Sequence, residues 1–176
     1  MAGKIIVVDF DDTLFFTNEC SRAACIEVLG KPLPKALVRK LKPRSLKHKV
    51  YDLAVSKYGH LARPNTKLIR ILSKADRADV VVLTARLARA RRHTMMLLNK
   101  HGVRYSRVIF RPNRLVDSKD EEWKLGKLNG LARKYKEIDV YEDKIDNINC
   151  FKRGLKHGGK SRFVLVEADG RHREVV

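Results

Sequence analysis

The stretch Ile5-Ile6-Val7-Val8-Asp9-Phe10-Asp11-Asp12-Thr13-Leu14 decides the reading of this chain. A short, continuous β-branched run is the pattern of a strand buried on both faces of a parallel sheet. Here it stops abruptly in three carboxylates within four positions, followed by a hydroxyl residue. Packing does not ask for that arrangement. Crowded carboxylates repel and raise one another's pKa unless a cation sits among them, and a hard, oxygen-preferring ion such as Mg²⁺ suits the donor set. An aspartate can attack phosphorus to give an aspartyl-phosphate. A carboxylate two residues further on lies on the same side, where it can protonate the leaving oxygen. Asp9 and Asp11 fit those two roles. The bland alternative for a lone DxD pattern is a strand that ends in an acidic, solvated turn.

Working outward, 176 residues suit one well-buried core with a modest insertion rather than two full domains. No apolar stretch approaches the roughly 20 residues of a membrane span, so no membrane helix is expected. The chain enters its first strand at once, without the apolar and small-residue signature of a signal peptide, and a cytoplasmic location is expected. Cys20, Cys25 and Cys150 form no CxxC pair, which reads as free thiols rather than disulfides or a zinc knuckle. The six histidines show no HxxxH or HExxH spacing and are assigned to no metal.

Strand-like runs recur at Ile5 to Val8, Val80 to Leu83, Val108 to Phe110, Ile138 to Tyr141 and Phe163 to Val166. Helical periodicity appears between them at Leu87, Ala90, Thr94, Leu97 and Leu98, and again at Trp123, Leu125, Leu128, Leu131 and Ala132. Alternating strands and helices imply an α/β fold with a Rossmann-like, doubly wound parallel sheet. Ligands of such sheets sit beyond the carboxyl ends of the strands. The residues found there are Asp9 and Asp11, then Thr84-Ala85-Arg86, then Glu142-Asp143 with Asp146 close behind, while Lys124 opens the helix between the last two. Together they supply a nucleophile, an acid/base, a hydroxyl, a cation and a further metal-binding carboxylate, a kit for phosphate monoester chemistry. Each has a plainer reading. Thr84 could cap a helix beginning at Ala85, Lys127 competes with Lys124, and Glu142-Asp143 could be a solvated turn before a helix.

The ordered motifs resemble the haloacid dehalogenase (HAD) superfamily of aspartate-dependent phosphatases and phosphotransferases. VVDFDDTL is similar to its first motif, VVVLTAR to its second, Lys124 to its third and VYEDKIDN to its acidic fourth. The resemblance implies a HAD-like core from residues 1-14 and 75-176, with 15-74 as a small helical cap over the site. It implies Asp9 as nucleophile and Mg²⁺ ligand. Asp11 would be the general acid/base and give its carbonyl to the metal, and Asp143 would complete the metal shell. Thr84, Ala85 and Lys124 would hold the phosphoryl group, with Lys124 steadying Asp9 and Asp146 in support. Asp11 favours phosphate chemistry over dehalogenation, since family dehalogenases lack that aspartate, and hydrolysis is commoner than a mutase reaction among soluble members.

Within 15-74, Leu37, Val38 and Leu41 form one apolar face and Val50, Leu53 and Ala54 another, which predicts a small satellite core beneath the cap. Phe15, Phe16, Tyr51 and Tyr58 could stack on a base or sugar, although packing is the commoner use of such residues. The formal net charge is +19, and the excess is uneven. Residues 31-63 carry ten Lys or Arg against Asp52 alone, and residues 86-114 carry nine and no acid. Such blocks attract phosphorylated small molecules and nucleic-acid ends, and bind nucleic acid non-specifically through phosphates, unless they are only a solvated face. The Asp169-Gly170 pair is a turn signal that could support a last hairpin. Two functions of different class follow. One is a Mg²⁺-dependent phosphatase acting through an aspartyl-phosphate, on a nucleotide or nucleic-acid end among other monoesters. The other is a basic nucleic-acid-binding protein with a HAD-like fold and little turnover.

Overall fold

The computed structural model describes residues 2-76, 78-116 and 118-175. In chain order the elements are β1 (Ala2–Val8), β2 (Phe15–Phe16), α1 (Asn18–Leu29), α2 (Lys35–Val38), α3 (Arg44–Ser56), β3 (Arg63–Pro64) and α4 (Thr66–Ser73). They continue with β4 (Ala78–Leu87), α5 (Arg91–Lys100), β5 (Arg107–Arg111), α6 (Asp120–Ala132), β6 (Tyr135–Glu142), α7 (Ile145–Gly154), β7 (Lys160–Val166) and β8 (His172–Glu174). All five expected strands join one six-stranded sheet of order β5-β4-β1-β6-β7-β8. Every pairing is parallel except the last, in which β8 returns antiparallel to β7.

The β-branched run at the start is continuous because β1 is central and covered twice. Alternate side chains face opposite ways. Ile5 and Val7 therefore join Leu128, Leu131, Ile148 and Phe151 of α6 and α7, while Ile6 and Val8 join residues of α1, α3, α4 and α5. The second of these clusters also takes in Val38, Val50 and Ala54 of the inserted segment. That overturns the expected satellite core: the insertion's apolar faces are continuous with one face of the sheet. The helix expected from Leu87 onward starts only at Arg91, because β4 runs through Leu87 and its ladder with β5 shifts register between Thr84 and Leu87. Asp169-Gly170 does turn the chain into β8, with Gly170 at φ +80° and the Gly170 N–H donating to the Glu167 carbonyl.

The chain leaves β1 toward β4 and β5 on one side and later fills β6 and β7 on the other, so the sheet's switch point lies between β1 and β6. A tight loop occupies that point. The Leu14 and Phe15 N–H groups both donate to the Phe10 carbonyl, and the Asp12 N–H donates to Phe15 O at 2.7 Å. Asp12 sits at φ 62°, a left-handed conformation that aspartate tolerates when its side chain is locally bonded. It is: the Asp12 carboxylate accepts from the Thr17 N–H at 2.9 Å and from Lys35 Nζ at 2.7 Å.

Buried Asn65 then locks the insertion to this loop. Its N–H donates to Leu14 O, its Nδ2 to Thr13 O, and its Oδ1 caps α4 by accepting from the Leu68 N–H. Asn65→Ala is expected to lower the free energy of unfolding by about 2 kcal/mol, the sum of a lost helix cap and an orphaned buried carbonyl. Urea unfolding of the two proteins checks this.

Candidate active site

Three elements deliver one buried group of charges. Asp9 directly follows β1, and its N–H donates to Tyr141 O at 3.0 Å, carrying the β1–β6 pairing one residue past Val8. Glu142 closes β6. Lys124 stands in the second turn of α6, on the same buried face as Trp123, Leu128 and Leu131. Its Nζ lies 2.9 Å from Asp9 Oδ1 and 2.7 Å from Glu142 Oε2. A lysine only 2% exposed is tolerable because two carboxylates hold its charge. Burial pulls its pKa down, yet Asp9 and Glu142 outweigh burial and hold it above the ordinary value. Lys127 is exposed.

Asp143 makes the third carboxylate. One oxygen each from Asp9, Glu142 and Asp143 lies within 4.8 Å of the others. Three acids against one ammonium leave excess negative charge, which favours the protonated form of the acids that Lys124 does not balance. Burial first, then the charges of Glu142 and Asp9, push Asp143 up to about 9. Burial raises Asp9 to about 7 despite the opposing Lys124. Glu142 is held below its usual value, because Lys124 and a hydrogen bond from Asp143 overcome burial. Asp143 Oδ1 is buried without a hydrogen-bond partner. An orphaned carboxylate oxygen beside two further acids is the donor chemistry of a hard divalent cation.

Asp11 points elsewhere. Arg86 grips it bidentately, Nε to Oδ2 at 2.9 Å and Nη2 to Oδ1 at 2.8 Å, and gives Nη1 to Thr94 Oγ1 at 3.1 Å. The guanidinium also lies 4.1 Å over the Phe10 ring, which stacks on Phe15. Burial would raise Asp11, but Arg86 and, more weakly, Lys35 hold it at about 2.

A cavity of about 300 Å³ opens above these groups, between the strand ends and the inserted segment. Of the expected site residues, Asp9, Asp11, Ala85, Lys124 and Asp143 line it. Thr84 is fully buried and is not part of its lining; its Oγ1 accepts the Arg86 N–H at 3.1 Å, so it braces the irregularity within β4 rather than capping a helix at Ala85. Asp146 is exposed and also outside the lining. The sequence reading places Arg86 and Glu142 at strand ends but gives neither a role of its own. Nothing singles out one arginine among 39 basic residues, and Glu142 is distinguished only by ending a strand. Asp120, Arg111 and Lys144 are further unforeseen lining residues: Asp120 accepts from Arg111 at 2.6 Å and from Lys144 at 3.4 Å.

No family model and no curated protein matches this sequence. Solved structures match its fold. A chain of the Pnkp1/Rnl/Hen1 RNA repair complex aligns with 94% of this chain at 18% identity and a TM-score of 0.60, and this chain spans 46% of it, under half its length. A putative phosphoglycolate phosphatase from Lactobacillus plantarum aligns over 93% of this chain and 86% of its own, at 14% identity and TM-score 0.61. The magnesium-bound putative HAD-hydrolase YfnB of Bacillus subtilis aligns over 92% and 88%, at 12% identity and TM-score 0.54. The protein has a HAD-like fold: a mostly parallel, Rossmann-like α/β sheet with helices on both faces. Among the described residues no helix is long and apolar enough to cross a membrane.

The carboxylate group carries a signed pH dependence. Asp143, with a folded-state pKa of about 9 against an ordinary 3.8, keeps a proton that the unfolded chain has released. Metal-free protein therefore loses stability as pH climbs between those two values. Asp11 and Glu142, held low, act only at more acidic pH. In chelator, the urea midpoint is expected to be lower at about pH 8 than at about pH 5. The gap should shrink on adding Mg²⁺ and in Asp143→Asn, and equal gaps in all three cases would contradict the assignment.

Proposed function

We propose that the protein is a Mg²⁺-dependent phosphatase that hydrolyses a phosphate monoester through an aspartyl-phosphate on Asp9. The observation that carries this reading is the convergence of Asp9, Lys124, Glu142 and Asp143 at one end of a cavity at the sheet's switch point. The HAD-like fold, shared with a putative phosphatase and a magnesium-bound hydrolase, supports it.

In this scheme Asp9 and Asp143 hold the metal, with the Asp11 carbonyl and the neighbouring Glu142 completing the oxygen set. The ion would neutralise charge on the phosphoryl oxygens and keep Asp9 ionised. An Asp9 oxygen attacks phosphorus as the bond to the leaving oxygen breaks, and Asp11 gives that oxygen a proton. Water then attacks the aspartyl-phosphate and Asp11 takes the water proton back. Lys124 balances the growing charge from beside Asp9. Asp11 as found is ionised by Arg86, the form suited to the second half-reaction. Its acid role requires Arg86 to turn toward the phosphoryl oxygens, and Thr84 and Ala85 add the remaining support beneath that group. Asp146 plays no direct part in this scheme.

Residues 15-74 act as a small cap that restricts access. The cationic cavity wall suits a nucleotide or nucleic-acid end, and the structural likeness to a chain of an RNA repair complex agrees. Three free cysteines suit a reducing, cytoplasmic setting.

The test is hydrolysis of an aryl phosphate with and without Mg²⁺. Turnover is expected only with the ion and is expected to fall to background in Asp9→Asn, while Asp11→Asn should cost about 10²- to 10⁴-fold in kcat. Full activity in Asp9→Asn would sink the covalent mechanism. Phosphate-sensitive nucleic-acid binding with no turnover from the wild type would favour the binding-only reading.

A further inference from the structure

The cations around the cavity divide into two sets. Those near the strand ends are paired: Lys124 with Asp9 and Glu142, Arg86 with Asp11, Arg111 and Lys144 with Asp120. On the opposite wall Arg39, which follows α2, and Lys47 of α3 also line the cavity, and neither has a carboxylate partner among the described residues. Tyr51, 36% exposed, lines the same cavity within electrostatic reach of Arg39, Lys144 and Asp120. None of these three residues belongs to the charge cluster of Asp9, Lys124, Glu142 and Asp143.

Their chemistry is that of a strand rather than a small sugar. Unpaired cations attract a second phosphate, and an exposed ring with a cation at its edge offers a stacking face for a base. About 300 Å³ is the lower end of ligand-pocket volumes, room for one terminal unit and not for a buried chain. Arg39 and Tyr51 are exposed, so a longer ligand can continue into solvent past them.

We propose that Arg39, Lys47 and Tyr51 form a second subsite for the phosphodiester and base next to a terminal phosphate, which makes a single-stranded nucleic-acid end the substrate. The assignment rests on the phosphatase reading for the terminal phosphate and extends it to the neighbouring nucleotide. Asp52 of α3 and Arg89, joined bidentately at 3.0 and 3.1 Å, also line the cavity and link α3 to the segment after β4.

The experiment is anisotropy binding of a short single-stranded oligonucleotide, with and without a terminal phosphate, over a range of salt concentrations. The proteins are the wild type, Arg39→Gln/Lys47→Gln, Tyr51→Ala and Tyr51→Phe; kcat/KM is measured on the phosphorylated strand and on glycerol phosphate. For the phosphorylated strand, the double variant should flatten the slope of log K against log salt by about 1.4, two single-strand phosphate contacts. Tyr51→Ala should weaken binding of that strand about tenfold and Tyr51→Phe by much less, because the ring does the stacking. In both losing variants kcat/KM should fall further on the strand than on glycerol phosphate. These side chains lie at the cavity surface, so folding is not at stake; unchanged circular dichroism would show it. Parallel salt slopes with Tyr51→Ala within about twofold of wild type would overturn the subsite. Flattened slopes without turnover on any monoester would uphold the subsite and sink the phosphatase reading beneath it.

Discussion

The site depends on one buried ammonium. Lys124 reaches from α6 to Asp9 at the end of β1 and to Glu142 at the end of β6, so a single group joins two neighbouring strands and the helix that covers them. Removing a partner from such an arrangement leaves an uncompensated charge in the interior, which costs about 3–5 kcal/mol. The same geometry concentrates negative charge. Lys124 keeps two carboxylates close to each other and to Asp143, and three acids exceed what one ammonium can balance. The fold thereby holds together a group that only a further cation or a bound proton completes.

A second constraint ties the insertion to that group. The loop from Asp9 to Phe15 is closed by its own backbone, and Lys35 reaches across from α2 to the left-handed Asp12. Asn65, where the chain returns from the insertion, bonds to Thr13 and Leu14 of the same loop. The inserted segment is therefore clamped at both ends to the residues beside Asp9 and Asp11, and its apolar side chains share the sheet's own core. Residues 15-74 are thus bonded to the loop that carries Asp11 and Asp12 as well as packed on the sheet.

The core strands were readable because burial on both faces leaves an uninterrupted β-branched run, as Ile5 to Val8 and Val80 to Leu83 show. Asp9, Asp143 and Lys124 were readable because acids and a helical lysine at strand ends have no packing reason to be there. Arg86 was not, since its meaning lies in reaching Asp11, 75 positions away, and in lying over Phe10. At Thr84-Ala85 the plainer alternative, a cap for a helix beginning at Ala85, does not hold. There the backbone stays extended to Leu87 because pairing with β5 resumes beyond the irregularity. The satellite core failed for a similar reason: periodicity reports that Val38 and Val50 face something apolar, but not that it is the sheet.

Charge placement also explains how so basic a protein can keep a cavity open to anions. Around the cavity floor the cations hold internal acids: Arg86 holds Asp11, and Arg111 and Lys144 hold Asp120. These acids hold the guanidinium and ammonium groups at the cavity before any ligand arrives. In the proposed mechanism a phosphoryl group entering near Asp9 would compete with Asp11 for Arg86, and success in that exchange would free Asp11 to carry a proton. On that reading the Arg86–Asp11 pairing would couple arrival of the phosphate to readiness of the acid. A neutral ligand, unable to draw Arg86 away, would leave Asp11 ionised and locked.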